Sequence, residues 1–289
     1  MTIKFPAAND PLVTLRTLSA LNMEEMLWAF KLQSSGAVVR WLASQGLAGL
    51  VENLSHTVVR YDAAVGQQGL SAASDWLLGE VTGSVTATGL EHIPQGKPLL
   101  VVSNHPGLTD AMVIFATLRR DDLKIIAADR GLLRLLPHIE QHLIYVSDAP
   151  DQRLASVREV TRQLRAGVPV LTFPYGGIER DPALYPAAVD TLPQWSRSIE
   201  VFARFVPDLQ ILPVMVAGVL SVDALRNPIS RMYRTTENRD WAAASLQFLL
   251  RRYRDVAIRI EYGQPLNGDT PDLHAAVVTQ MRAMMQTRA

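Results

Sequence analysis

From residue 84 onward the chain alternates short apolar segments with longer amphipathic ones, and this alternation restricts the fold more than any other feature. SVTATG (84–89), PLLVVSN (98–104), LKIIAA (123–128), LIYV (143–146), VPVLTF (168–173), LQILPVMVA (209–217) and DVAIRIEYG (255–263) are short, mostly apolar and rich in β-branched residues, as strands are. Between them, 109–119, 151–165, 193–205, 239–253 and 271–286 read as helices. Strands that alternate with helices bury both faces of one sheet. The pattern predicts an α/β fold: a mixed, largely parallel sheet flanked by helices. The polar stretch 221–238 reads as a long connection, a candidate for a flexible loop at a site.

The first eighty residues have a different texture. Leu12, Leu15, Leu18, Met26, Leu27 and Phe30 predict a helix over 10–32, and Val38, Trp41, Leu42, Leu50, Val51, Leu54 and Val58 a second over 37–61. A third, short helix is expected near 72–78. The expected organisation is a helical N-terminal region (1–80) followed by an α/β domain (81–289). The helical region has two readings, a bundle packed on the sheet or a greasy surface that rests on a bilayer or cradles an acyl chain. In the second, Trp28 and Trp41 touch lipid. Its five basic and seven acidic residues, a net of −2, argue against an electrostatic anchor.

Charge and composition narrow the function classes. The chain has 289 residues, a formal net charge of zero and no basic stripe, so a nucleic-acid partner is not expected. Without a single cysteine it has no disulfide, no thiolate nucleophile and no cysteine-based metal site. No run reaches the roughly 18 apolar residues of a spanning helix, and the opening MTIKFPAANDP lacks the charged start and apolar block of a signal peptide. The expected location is the cytoplasm, with peripheral contact at the inner face of the membrane as the alternative.

The stretch SNHPGLTD (103–110) carries the candidate chemistry. In open α/β sheets, sites lie at the carboxyl ends of strands, and His105 follows one. Pro106 holds His105 extended, Gly107 permits a sharp corner, and Thr109 or Asp110 starts and caps the next helix. In a continuous helix the side chains of His105 and Asp110 would point about 140° apart; the corner is what allows them to meet. A carboxylate on one ring nitrogen fixes the tautomer and leaves the other nitrogen free to take a proton. No Gly-x-Ser-x-Gly elbow accompanies the pair, so such a base would act on a hydroxyl or water that the substrate brings. On spacing alone, a helix-capping aspartate beside an ordinary loop histidine remains open.

His105 and Asp110 form a histidine–four residues–aspartate motif, and three further blocks follow: AADRGLLRLLPHIEQHLIYVS (127–147), VLTFPYGGIERDP (170–182) and ILPVMVAGV (211–219). With the lead-in TGLEHIPQGKPLLVVSNH (88–105), this ordered set resembles the glycerophospholipid acyltransferase family, of lysophosphatidate and glycerol-3-phosphate type, over about 83–225. The resemblance implies an O-acyltransferase of phospholipid biosynthesis. Such an enzyme carries an acyl chain from an acyl-CoA or acyl-carrier-protein thioester, its co-substrate, to a hydroxyl of a glycerolipid or similar lipid or sugar acceptor. It implies His105 as general base, Asp110 as its orienting group, and no cofactor or metal. Arg130 and Arg134 in the second block, and Phe173, Pro174, Tyr175, Gly176, Gly177, Glu179 and Arg180 in the third, would contact substrate. Oxyanion donors are sought among backbone N–H groups at the 106–107 corner or around 176–177.

The third block departs from the family's usual Phe-Pro-Glu-Gly-Thr-Arg. Tyr175 stands where the glutamate belongs and Ile178 where the arginine belongs, with Glu179 and Arg180 displaced along the chain. Either Arg180 reaches inward to an anionic acceptor, or the acceptor carries no phosphate there. The departure also leaves open a non-catalytic lipid or acyl-thioester binding protein on the same fold, and a thioester hydrolase. PHIEQH (137–142) lacks the spacing of a zinc protease and reads as a surface helix or strand entry.

Overall fold

The computed structural model describes residues 11–33, 35–146 and 150–286, and of 11–13 and 150–152 only the backbone. The start of the first expected helix at residue 10, the opening stretch 1–10 and Ser147 at the end of the second block lie outside the described residues.

Three helices open the chain: α1 (Pro11–Ala29), α2 (Ala37–Gln68) and α3 (Leu70–Val81). There follow β1 (Ser84–Thr88), β2 (Leu99–Ser103), α4 (Asp110–Leu118), β3 (Lys124–Ala128), α5 (Pro137–Glu140), β4 (Leu143–Val146), α6 (Pro150–Arg165) and β5 (Val170–Thr172). After a 3-10 stretch (Pro186–Gln194) come α7 (Ser198–Phe205), β6 (Gln210–Ala217), α8 (Val222–Arg226), α9 (Pro228–Arg231), α10 (Thr236–Leu249), β7 (Ala257–Tyr262), β8 (Leu266–Asn267) and α11 (Leu273–Gln286). The strands form one mixed sheet in the order β1-β7-β6-β2-β5-β3-β4, with β8 on β6. All neighbours are parallel except β6 with β7 and with β8. The expected fold class is therefore the one observed.

The central strands are apolar throughout because both faces are covered. Along β2, Leu99 and Val101 join a cluster with Ala73 and Leu77 of α3 and Val113 and Ile114 of α4. Leu100 and Val102 join the opposite cluster with Val160, Leu164, Ile199, Phe202 and Val277. Each such side chain contributes about 1.5–3 kcal/mol of burial. Helices α2 and α3 thus belong to the same core as the sheet. Helices α1 and α2 form a hairpin whose interior holds a buried hydrogen bond of 2.9 Å from Asn22 Nδ2 to Ser55 Oγ.

The elements differ from expectation in three places. Helix α2 continues to Gln68, through Asp62, whose buried carboxylate accepts from the backbone N–H of His138 at 3.0 Å and of Ile139 at 2.8 Å. Asp62 also takes the Nδ1 of His138 at 2.9 Å, so the PHIEQH stretch is a short helix docked on α2 by a distant carboxylate. The stretch 221–238 is not a long loop. Ser221 caps α8 through the Ala224 N–H, Asn227 caps α9 through the Ile229 N–H, and Thr235 caps α10 through the Asn238 N–H. The helices between these caps are too short to show a period. The expected helix over 193–205 begins only at Ser198, because Pro193 and Gln194 belong to the preceding 3-10 stretch.

One buried carboxylate ties the carboxyl-end loops together. Asp181 accepts from the N–H of Ala183 (2.9 Å), Gly218 (2.8 Å) and Leu220 (3.1 Å), joining the loop after β5 to that after β6. Burial raises its pKa despite these donors. Asp181→Ala leaves three backbone donors without their partner, and the expected loss of unfolding free energy is about 3 kcal/mol or more. Urea denaturation checks this; a change within about 0.5 kcal/mol would contradict the tie.

Candidate active site

His105 lies two residues past β2, between the carboxyl ends of β5 and β6. Asn104 fixes its approach: the buried amide accepts from the Val216 N–H (2.9 Å) and donates to the Val216 carbonyl (2.8 Å), extending the β2–β6 ladder by side chain. The chain then turns. Gly107 serves this corner by size, since a Cβ there would meet Val219 Cγ2 at 2.8 Å, and its φ is not positive. Thr109 occupies the N-cap without a side-chain cap bond.

The turn brings His105 Nδ1 to 2.7 Å from Asp110 Oδ2. The Asp110 carboxylate is fully buried and also accepts from the N–H of Gly107 (3.2 Å) and Ala111 (2.7 Å). An ionised carboxylate only accepts, so Nδ1 carries the proton and Nε2 is the free acceptor. Phe173, just past β5, stacks on the imidazole with centroids 4.3 Å apart and planes 19° apart. About a quarter of the His105 side chain, 26%, stays exposed.

Behind the ring lies a second carboxylate. Glu179 Oε2 accepts from the His105 N–H at 2.9 Å, and the Glu179 N–H donates to the His105 carbonyl at 2.7 Å. Its other oxygen, Oε1, accepts from Thr191 Oγ1 (2.6 Å) and Trp195 Nε1 (2.9 Å). Burial raises the pKa of Glu179, against the pull of these donors. For His105, burial disfavours the imidazolium, but the charge and hydrogen bond of Asp110 outweigh it, Glu179 adds to them, and the pKa is raised; Arg130 acts in the opposite sense.

Residues 84–217 match the family described as Acyltransferase. That segment, from β1 to the end of β6, is what this chain shares with the family. No curated protein matches the chain. Among solved structures, the chain is similar to the 1-acyl-sn-glycerophosphate (LPA) acyltransferase PlsC from Thermotoga maritima, with 12% identity, 94% of this chain and 96% of that chain covered, and a TM-score of 0.44.

The other expected substrate contacts are scattered. Arg134 is held by Asp129 (2.8 Å) and Glu140 (3.5 Å) and lies over the Tyr145 ring. Arg130 is exposed, 3.9 Å from Glu25, near enough to His105 to bear on its charge. Phe173 is the ring's stacking partner, and Pro174 is buried in the turn that follows. Tyr175, Ile178, Glu179 and Arg180 line a cavity of about 640 Å³ beside the site. Glu179 was expected to meet substrate, yet both its oxygens are taken by protein donors, so its first task is to hold His105. Of the expected oxyanion donors, Pro106 has no N–H, Gly107 N–H is engaged by Asp110, and Gly176 N–H by the Phe173 carbonyl (3.0 Å). A larger cavity, about 690 Å³, lies at the amino ends of β2 and β6, away from this chemistry. Among the described residues, no group of three His, Cys, Asp or Glu is arranged to hold a metal.

The sequence reading missed Asn104, Thr191 and Trp195. A polar Asn closing an apolar strand is a visible signal for the first; Thr191 and Trp195 follow Glu179 by 12 and 16 residues, with no spacing that marks them as its partners. Glu179→Gln removes a negative charge that supports the imidazolium and puts an amide against donors. The expected result is at least a tenfold loss in kcat, with the acid limb of the pH–rate profile moved to lower pH because the base loses its proton more readily. A loss of rate with an unmoved limb would reduce Glu179 to a structural group.

Proposed function

We propose that this acyltransferase moves an acyl chain from a coenzyme A or acyl-carrier thioester to a hydroxyl of a glycerolipid or similar acceptor, with His105 as the general base. The observation that carries the reading is the 2.7 Å bond from His105 Nδ1 to a buried Asp110, on a ring that is stacked, tautomer-fixed and still partly open. His105 Nε2 takes the hydroxyl proton as the oxygen attacks the thioester carbonyl. The carbon–oxygen bond forms, the carbon–sulfur bond breaks, and the imidazolium returns the proton to the leaving thiolate. Asp110 stabilises the imidazolium through this cycle. The N–H of Gly177, without a partner among the described residues, is a donor the third block could offer to the oxyanion.

The absence of cysteine makes the test direct, because a thiol-reactive dye then reports only the released coenzyme. His105→Ala is expected to lower acceptor-dependent thiol release by about 10²–10⁴, and Asp110→Asn to lower it strongly through the wrong tautomer. Full activity of His105→Ala would end the assignment. Thiol release that needs no acceptor would make the protein a hydrolase.

The same reading includes contact with a bilayer surface. No helix among the described residues is long and apolar enough to cross a membrane. The tip of the α1–α2 hairpin nevertheless exposes Val38 (70%), Trp41 (60%) and Leu42 (57%), with Val39 and Trp28 beside them. Trp28 also lines the cavity next to the site, so a lipid surface against this tip would lie beside the acceptor's entry. Flotation with phosphatidylglycerol–phosphatidylethanolamine vesicles checks this. Wild type is expected to co-float and Trp41→Asp with Leu42→Asp to remain below; a wild type that stays with the soluble fraction contradicts the contact.

A further inference from the structure

The cavity of about 640 Å³ beside His105 has a lining that selects among acceptors. One wall is the third block, with Tyr175, Ile178, Glu179 and Arg180; the second is the 3-10 stretch with Asp190, Thr191 and Gln194; the third is the first turn of α10 with Thr235, Glu237, Asn238, Asp240 and Trp241. Glu179 lines the cavity and accepts from the His105 N–H, so this space is one side chain from the base.

Its charge is unsuited to a phosphate monoester. Four carboxylates line it, Glu179, Asp190, Glu237 and Asp240, against one guanidinium, Arg180. Burial holds the Asp240 carboxyl up at about 6, against the Tyr185 hydroxyl bonded to it at 2.7 Å and the charges of Arg239 and Arg180. A dianion is recognised by forked or paired cations, and Ile178 adds an apolar side chain to the wall instead.

Its chemistry does suit vicinal hydroxyls. Asp190 and Glu237 make no side-chain hydrogen bond or ion pair among the described residues, and as carboxylates they accept only. Thr191, Thr235, Gln194 and Asn238 can both donate and accept. Tyr175 and the edge-to-face pair Trp28–Trp241, with centroids 6.2 Å apart, provide aromatic surface for a carbon-hydrogen face. We infer that this cavity is the acceptor subsite and that it takes an uncharged polyhydroxyl group, a sugar or polyol headgroup, in place of a phosphate. This rests on the acyl-transfer reading above, in which the hydroxyl that attacks the thioester is one of that group's own.

Three probes with one alkyl chain separate the headgroups: octyl glucoside, octyl phosphate and octylamine, each below its micellar concentration, titrated into the full-length protein at low salt and followed by tryptophan fluorescence. Octyl glucoside is expected to bind at least tenfold more tightly than either charged probe. Asp190→Asn combined with Glu237→Gln should weaken it about tenfold while leaving octyl phosphate no weaker. Tighter binding of octyl phosphate overturns the inference, as does tighter binding of octylamine, which would make the site one for cations; an undetectable glucoside overturns it too. Thiol release from dodecanoyl-CoA, with octyl glucoside or lysophosphatidate as acceptor, is scored separately. If the glucoside binds with the expected preference and neither acceptor releases thiol, the subsite stands and the acyl-transfer reading fails. If lysophosphatidate is the faster acceptor, acyl transfer stands and the polyhydroxyl subsite falls.

Discussion

The two-way clasp between His105 and Glu179 is the interaction on which the site depends. Each residue gives its backbone N–H to the other, one to a carbonyl and one to a carboxylate, so the loop after β2 and the loop after β5 cannot move apart independently. The carboxylate that closes the clasp is itself anchored by Thr191 and Trp195, which belong to the next segment of the chain. Three stretches well separated in sequence thereby set the position of one imidazole. Asp181 repeats the device one loop further on, binding the chain after β6 to the same corner.

This arrangement divides the work between carboxylates by environment. Asp110 is buried and touches the ring, so it governs the tautomer and the charge of the imidazole. Glu179 is buried and touches the peptide, so it governs where the imidazole stands and, through its charge, how readily it holds a proton. Asp190 and Glu237 sit at the wall of the neighbouring cavity without side-chain partners among the described residues. Asp110 and Glu179 favour the charged form of the imidazole, and in the proposed reading the carboxylates of the cavity wall oppose an acceptor that brings negative charge of its own.

Much of the fold could be read from the chain, because its information is local. Seven strands lie where apolar segments of β-branched residues lie, and the helices between them follow from spacing. The His105–Asp110 pair was also legible, since proline and glycine between them allow one corner geometry, although Gly107 proved to be required by Val219 rather than by its backbone angle. What could not be read depends on partners remote in sequence or on elements too short to carry a period. Asp62 extends α2 to meet His138, seventy-six residues away. Helices α8 and α9 have five and four residues, and only Ser221 and Asn227 as caps betray them. Glu179 looked like a misplaced motif residue because a sequence shows its neighbours and not the peptide it clasps.

The sheet gives the two halves of the site unequal rigidity. His105 stands at the end of β2, which is flanked on both edges and buried on both faces, so the strand's amides are expected to open only when the domain does. The wall opposite is built from a 3-10 stretch, the first turn of α10 and a half-exposed Trp28, whose backbone can loosen without disturbing that strand. In the proposed reading an acceptor would therefore meet the more loosely built wall, while His105 is carried by the most deeply embedded strand.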